Sequence, residues 1–247
     1  MKKMIIGLLV LSAGACASAP GETVKNDPYE DFNRSMLAFN LAVDDAVLEP
    51  AAKGYSAVTP QWGRDRVSDF FQNLGEPLTF VNEILQGNPD GAATTGLRFT
   101  VNSTIGLAGL FDIASSEGIE RNDEDFGQTL AVWGVDSGPY LVMPFLGPTN
   151  PRDLVGFAAD RAASPLNYVT YSGDSSDDTT IRIGVAALRG LNARAQAGDR
   201  VEQLMNQPEP YTALRSFHVT RRNAEITNGK GQNEQDVFEE LPSFDEF

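Results

Sequence analysis

The chain has 247 residues, with 34 Asp and Glu against 19 Lys and Arg, a formal net charge of −15 at pH 7. So acidic a chain does not hold nucleic acid or an anionic membrane surface by charge, and any broad membrane contact has to be apolar. Hydrophobic residues at 41% and charged residues at 21% are those of a folded domain, and 14 Pro with 23 Gly predict short, bent elements.

Lys2 and Lys3 precede an apolar run over residues 4–11 and a small-residue run over 12–15. This is the layout of a secretory signal, far shorter than the roughly 20 apolar residues that cross a bilayer. Cys16 follows Ala13, Gly14 and Ala15, a pattern that resembles the lipobox of bacterial lipoproteins, with Ala13 where Leu is usual. A signal peptidase cutting after Ala15 fits the same residues. Cys16 is the only cysteine, so it forms no disulfide within the chain, and lipidation is the role that best accounts for it. Three acyl chains on Cys16 anchor permanently, since two already anchor stably. Ala17 at the second mature position favours the outer membrane under the sorting rule of such proteins.

Four segments follow: a signal peptide over 1–15, a lipidated tether over 16–26, a helical domain over 27–229 and an acidic disordered tail over 230–247. Asp27-Pro28 opens a helix whose Phe32, Met36, Phe39, Val43 and Val47 fall on one face. Residues 61–86 carry the clearest helical period, through Val67, Phe70, Phe71, Leu74, Leu78, Val81, Ile84 and Leu85. Pro77 predicts a kink there or two helices, and Gly87-Asn88-Pro89 ends the element.

Residues 91–111 hold one charge, Arg98, among many Thr, Gly, Asn and Ser. As a spanning helix this segment is poor, because an Arg at mid-depth costs about 3 kcal/mol. Composition favours a buried core helix slightly over membrane contact. Residues 112–129 read as a polar loop. Residues 130–148 are nearly uncharged but broken by Gly138-Pro139 and Pro144, which makes them either a core loop or an interfacial insertion. A short helix over 153–160, a Ser/Asp loop over 173–180, a long amphipathic helix over 179–206 and a last helix over 211–228 closed by Gly229 complete the domain. Strand alternation is weak, so the fold class is mainly α.

His218 is the only histidine, and no Gly-x-Ser-x-Gly elbow accompanies it. A His-based triad and an ordinary zinc site are therefore not supported, and His218 reads as a surface or half-buried residue. The carboxylates of Asp123-Glu124-Asp125 and of residues 174–178 lack the EF-hand spacing and read as solvated loops. No cofactor and no metal is implied. Hydrolysis by a carboxylate pair stays open, with no pair singled out.

Several ordered blocks resemble the MlaA (VacJ) lipoproteins. They are Asp27-Pro28-Tyr29-Glu30-Asp31-Phe32-Asn33-Arg34 with Phe39-Asn40, Asn73-Leu74-Gly75-Glu76-Pro77 with Leu85-Gln86-Gly87, Asn102-Ser103-Thr104-Ile105-Gly106 with Gly109-Leu110-Phe111-Asp112, and Phe126-Gly127-Gln128-Thr129-Leu130 through Gly138-Pro139-Tyr140-Leu141. The match runs in order over about residues 27–222.

The resemblance implies a ring-like helical body embedded in the inner leaflet of the outer membrane, beside a trimeric porin. Such a body passes mislocalised phospholipids from the outer leaflet to a soluble periplasmic carrier, MlaC, and catalyses no reaction. On composition plus that resemblance, Leu97, Thr100, Ser103, Thr104 and Ile105 are candidates for the phospholipid path. Phe39 and Asn40 are candidates for a gating loop, and Trp133, Tyr140, Leu141 and Phe145 for leaflet insertion. The rival readings are an envelope hydrolase, disfavoured by the missing nucleophile motif, and a structural porin-associated lipoprotein without transfer activity.

Overall fold

The computed structural model describes residues 27–164, 166, 175–198 and 200–228. The signal segment, Cys16, the tether and the acidic tail lie outside them, as does Gly229. The described chain is mainly α, as its sequence predicts. α1 (Glu30–Val43) runs through a π-helical turn (Asp44–Leu48) into α2 (Glu49–Val58), followed by α3 (Gln61–Gln86) and α4 (Pro89–Thr104). α5 (Ile113–Ser116) and α6 (Phe126–Val132) lead to an antiparallel hairpin of β1 (Leu141–Met143) and β2 (Gly147–Thr149), in which Val142 faces Pro148. α7 (Pro151–Ala163), α8 (Ser175–Ala197), α9 (Arg200–Met205) and α10 (Pro210–Ile226) complete it.

Local chemistry explains most boundaries. The side chains of Asn88, Asp112, Asp125 and Asn150 accept backbone N–H groups at the starts of α4, α5, α6 and α7. Gly87, at φ +73°, closes α3 in the left-handed conformation that glycine adopts without strain. Of the two alternatives for Pro77, a division into two helices does not occur: α3 runs through it unbroken. Asn73, Glu76, Asn82 and Glu83 are buried on both sides of it, so tertiary contacts hold the helix through the missing N–H.

Other sequence expectations also shift. Asp27 does not cap α1, which starts at Glu30; its buried carboxylate accepts the Tyr29 N–H at 3.1 Å and the Tyr211 hydroxyl instead. The polar stretch 112–129 holds α5 and the start of α6, and Ser175–Thr180 is already helical in α8. The 179–206 helix is divided into α8 and α9 around Gly198, whose φ is +50°.

The elements pack in a closed circuit. α1 packs on β1, β2 on α10, α10 on α6, α6 on α3, α3 on α8, and α8 on α2, which leads back to α1. α4 lies along α3 and α7 along α6. The α6–α7 crossing is close enough that a Cβ on Gly156 would stand 2.3 Å from the Gly127 nitrogen.

The interior is polar. Among the described residues, the buried apolar ones are Ala52, Phe71, Ala92, Ala114, Tyr140, Val142 and Tyr211, whereas more than twice as many buried residues are polar or charged. Side chains such as Val58, Trp62, Ile84, Ile105, Leu107 and Phe145 are meanwhile exposed. Water-soluble domains bury the first class and expose the second. No described helix is long and apolar enough to cross a membrane.

Candidate functional site

The α3–α4 seam shows how the inversion is built. Gly91, Thr95, Arg98 and Asn102 recur at steps of four, three and four, so they share one face of α4, and that face is buried. Arg98 is 1% exposed and lies 3.3 Å from Glu76 and 2.9 Å from Asp112, and it also donates to Ser115 and to the Ile119 carbonyl. Burial pushes the Glu76 carboxyl up, opposed by Arg98 and Arg121. Burial also acts against Asp112, but hydrogen bonds from Ser115, Arg98 and Asn102 hold its carboxyl down at about 2. Buried charges are stable only with such partners. The core-helix reading of 91–111 is therefore corrected: the helix buries its polar face and exposes its apolar one.

The same design closes the other seams. Asn192 accepts from the Tyr55 hydroxyl at 2.9 Å and donates to Ser68 at 2.8 Å, tying α8 to α2 and α3. Arg194 reaches Asp44 at 2.7 Å. Thr129 bridges α6 to Asn82 and Gln86 of α3. Arg222 joins α10 to Asp125 and Asp153 at 2.8 and 2.9 Å. Glu124 is buried and accepts from Gln86 at 2.7 Å, and burial lifts its carboxyl to about 7. The solvated-loop reading of 123–125 thus holds for exposed Asp123 alone.

The path candidates separate. Leu97, Thr100, Thr104 and Ile105 lie together on the exposed face of α4, with Leu97 and Ile105 at 50% and 68% exposure. The Thr100 and Thr104 hydroxyls donate to the carbonyls of Gly96 and Thr100, at 2.8 and 2.6 Å. Ser103 turns toward α3, where its oxygen accepts from Asn73 at 3.0 Å.

Phe39 and Asn40 are not in a loop but within α1, and their partner is the hairpin. Asn40 donates to the Met143 carbonyl at 3.0 Å and accepts the Phe145 N–H at 2.8 Å. Seven residues earlier on the same face, Asn33 donates to the Tyr140 carbonyl at 3.0 Å and accepts the Val142 N–H at 2.8 Å. Phe145 sits at the hairpin tip with φ +64°, uncommon for a bulky residue, and its ring meets Phe39 edge-on at 5.5 Å.

Of the insertion candidates, Trp133 and Phe145 are exposed and Leu141 is half-buried. Tyr140 is corrected: it is buried beside Val142 and Tyr211, with Met36 and Leu37 packed against them. Its ring supports the hairpin from below and does not reach the surface.

A cavity of about 440 Å³ opens between α6, β2, α7 and α10. Pro148, Phe157, Leu214 and Phe217 give apolar walls, and Asp125, Asp153, Asp160, His218, Arg221, Arg222 and Glu225 give charged or polar ones. His218 is half-buried, as its sequence context predicts; burial pushes its imidazole down, and its shielded Nε2 has no hydrogen-bond partner. Among the described residues, Asp44, Asp45 and Glu49 bring carboxylates close enough for a cation, but Arg194 and Lys53 already pair with Asp44 and Glu49.

Sequence reading missed the polar seams and the Asn33–Asn40 pair. Both carry a signal: polar residues at steps of three and four, lying opposite an apolar stripe. That signal leaves open which face is inside.

Comparison with known proteins gives this geometry a family. The profile of the MlaA lipoproteins matches residues 25–225. An uncharacterised protein of Rickettsia typhi is 39% identical over 79% of this chain and 76% of its own. The intermembrane phospholipid transport system lipoproteins MlaA of Haemophilus influenzae and Escherichia coli are 34% and 31% identical, over 83% and 95% of this chain and 81% and 94% of theirs. A chain from a solved structure described as the structural basis for maintenance of bacterial outer membrane lipid asymmetry superposes with a TM-score of 0.70 at 32% identity, covering 82% of this chain and all of that one. This chain belongs to the MlaA lipoprotein family.

Proposed function

We propose that the chain is an outer-membrane lipoprotein of intermembrane phospholipid transport. It removes phospholipids misplaced in the outer leaflet and passes them to a periplasmic carrier of the MlaC kind, and so maintains lipid asymmetry. The names of the Haemophilus and Escherichia relatives support the transport role.

The observation that carries the reading is the inversion of apolar and polar faces. Apolar helix faces in contact with acyl chains lose nothing by exposure, and helices surrounded by lipid gain little from apolar contact with each other. Polar seams then supply the association, as in Arg98–Glu76–Asp112 and Asn192–Tyr55–Ser68. The body lies in the inner leaflet facing the periplasm, alongside a trimeric porin, held by acylated Cys16 and its own outer faces.

The exposed face of α4 serves as part of the lipid path. Its two Thr hydroxyls bond their own helix, so acyl chains sliding past meet no unpaired donor. The hairpin acts as the gate, with Asn40 and Phe39 as the latch that holds Phe145.

The test is a strain lacking its own copy, probed with an impermeant amine-reactive reagent for phosphatidylethanolamine at the cell surface. Deletion raises surface labelling; the wild-type chain lowers it again, and a Cys16→Ala chain does not. Restored porin binding without restored asymmetry would instead support the structural role.

A further inference from the structure

We propose that the cavity between α7 and α10 docks the headgroup end of one phospholipid, its acyl chains lying outside, and selects a zwitterionic headgroup over an anionic one. This rests on the phospholipid-transport reading above and adds a location and a selectivity to it.

The walls come from separate elements. Pro148 of β2, Phe157 of α7, and Leu214 and Phe217 of α10 form the apolar side. Phe157 is half exposed, which gives the acyl chains outside an apolar contact. A volume of about 440 Å³ falls within the range of small-molecule sites.

The polar side carries charges of both signs, four carboxylates against two guanidinium groups. Arg222 is consumed by Asp125, Asp153 and Glu225, at 2.8, 2.9 and 3.1 Å. Arg221 is different. It is paired with Glu225 through Nε alone, at 2.7 Å, and its side chain is 63% exposed. A phosphate entering the cavity meets the outer nitrogens of Arg221, whose planar fork suits it.

The remaining lining is net negative, so a purely anionic lipid enters against repulsion. An ammonium group on the same headgroup answers Asp160 and the acidic rim. His218 Nε2, shielded and without a partner on the wall, supplies a neutral hydrogen-bonding group for a headgroup or ester oxygen.

The test uses the purified full chain in mixed micelles with equal phosphatidylethanolamine and phosphatidylglycerol. Lipid retained after separation is identified by mass spectrometry. The wild type should retain phosphatidylethanolamine roughly fivefold over phosphatidylglycerol, the scale of one exposed ion pair. Leu214→Trp, which fills the cavity, and Arg221→Glu, which removes the phosphate contact at an exposed position, should each lower total retention, Arg221→Glu with helical content unchanged.

Equal retention of the two lipids by the wild type, or unchanged retention by Leu214→Trp, overturns the proposal. Should Leu214→Trp fail to fold, Arg221→Glu decides, and undiminished total retention by it overturns the proposal as well. Vesicle-to-vesicle transfer by the same wild-type protein separates the two claims. Transfer without selective retention leaves transport standing and removes the site, whereas selective retention without transfer keeps the site and removes the transport reading.

Discussion

The α3–α4 seam and the corner where α1 meets the hairpin and α10 are held by opposite means. In the corner, Tyr140, Val142 and Tyr211 form a small apolar cluster with Met36 and Leu37 against it, as in a water-soluble protein. In the seam, Glu76, Arg98, Thr95 and Asn102 are buried while Leu97, Phe99 and Ile105 face outward. The corner draws on water exclusion, which needs water outside. The seam draws on paired charges and amides, which hold helices together whatever the outer medium is. One chain thus carries regions suited to two solvents.

The comparison breaks hardest at Arg98. Arg98→Ala leaves Glu76 and Asp112 without their buried partner and should cost about 3–5 kcal/mol, a large fraction of the stability of an ordinary domain. Denaturant unfolding in mild detergent measures it. The corner should respond next. Asn33→Ala strands the Tyr140 carbonyl and the Val142 N–H in the interior, at about 2–3 kcal/mol, while Asn40→Ala, whose Phe145 partner is exposed, should cost only about 1 kcal/mol. A larger loss at Asn40 than at Asn33 would contradict the latch geometry.

A pH titration sharpens the contrast. Burial lifts the Glu124 carboxyl from its ordinary 4.5 to about 7, so the folded chain holds that proton more tightly than the unfolded chain. The stability it contributes is fully present below about pH 4.5 and is lost as pH rises through about 7, an effect of about 1–2 kcal/mol after screening. Thermal melts at pH 5 and pH 8 should show it, and Glu124→Gln should remove it while keeping the acceptor for Gln86. The smallest stability effect belongs to Ile105→Asp on the outward face of α4, within about 0.5 kcal/mol. The same change should weaken membrane partition in flotation, and unaltered flotation would show that this face does not meet lipid.

The sequence made the helices legible because apolar period and caps are local. Residues 61–86 and the break at Gly87 stand where the pattern places them. The handedness of burial was not legible. A helix with one apolar and one polar face reads alike whichever faces inward, and the Arg98 of 91–111 pointed to membrane cost only because its partners, Glu76 and Asp112, lie 22 and 14 residues away. Of the candidate residues, Phe39, Asn40 and Phe145 do converge, and Leu97, Thr100, Thr104 and Ile105 share a surface. Tyr140 is buried where the insertion reading needs it exposed, because an aromatic beside a turn carries no mark of which side it takes. The cavity at His218 joins residues from four elements that no local pattern connects.

The central claim is that the outward apolar faces lie in lipid, and the two native tryptophans test it without mutation. Trp62 and Trp133 are 69% and 54% exposed. In vesicles containing phospholipids brominated along the acyl chain, fluorescence from both should be strongly quenched, most by bromines near the headgroup end. Fluorescence as bright as in unbrominated vesicles, with the protein bound, would place these faces in water and contradict the account.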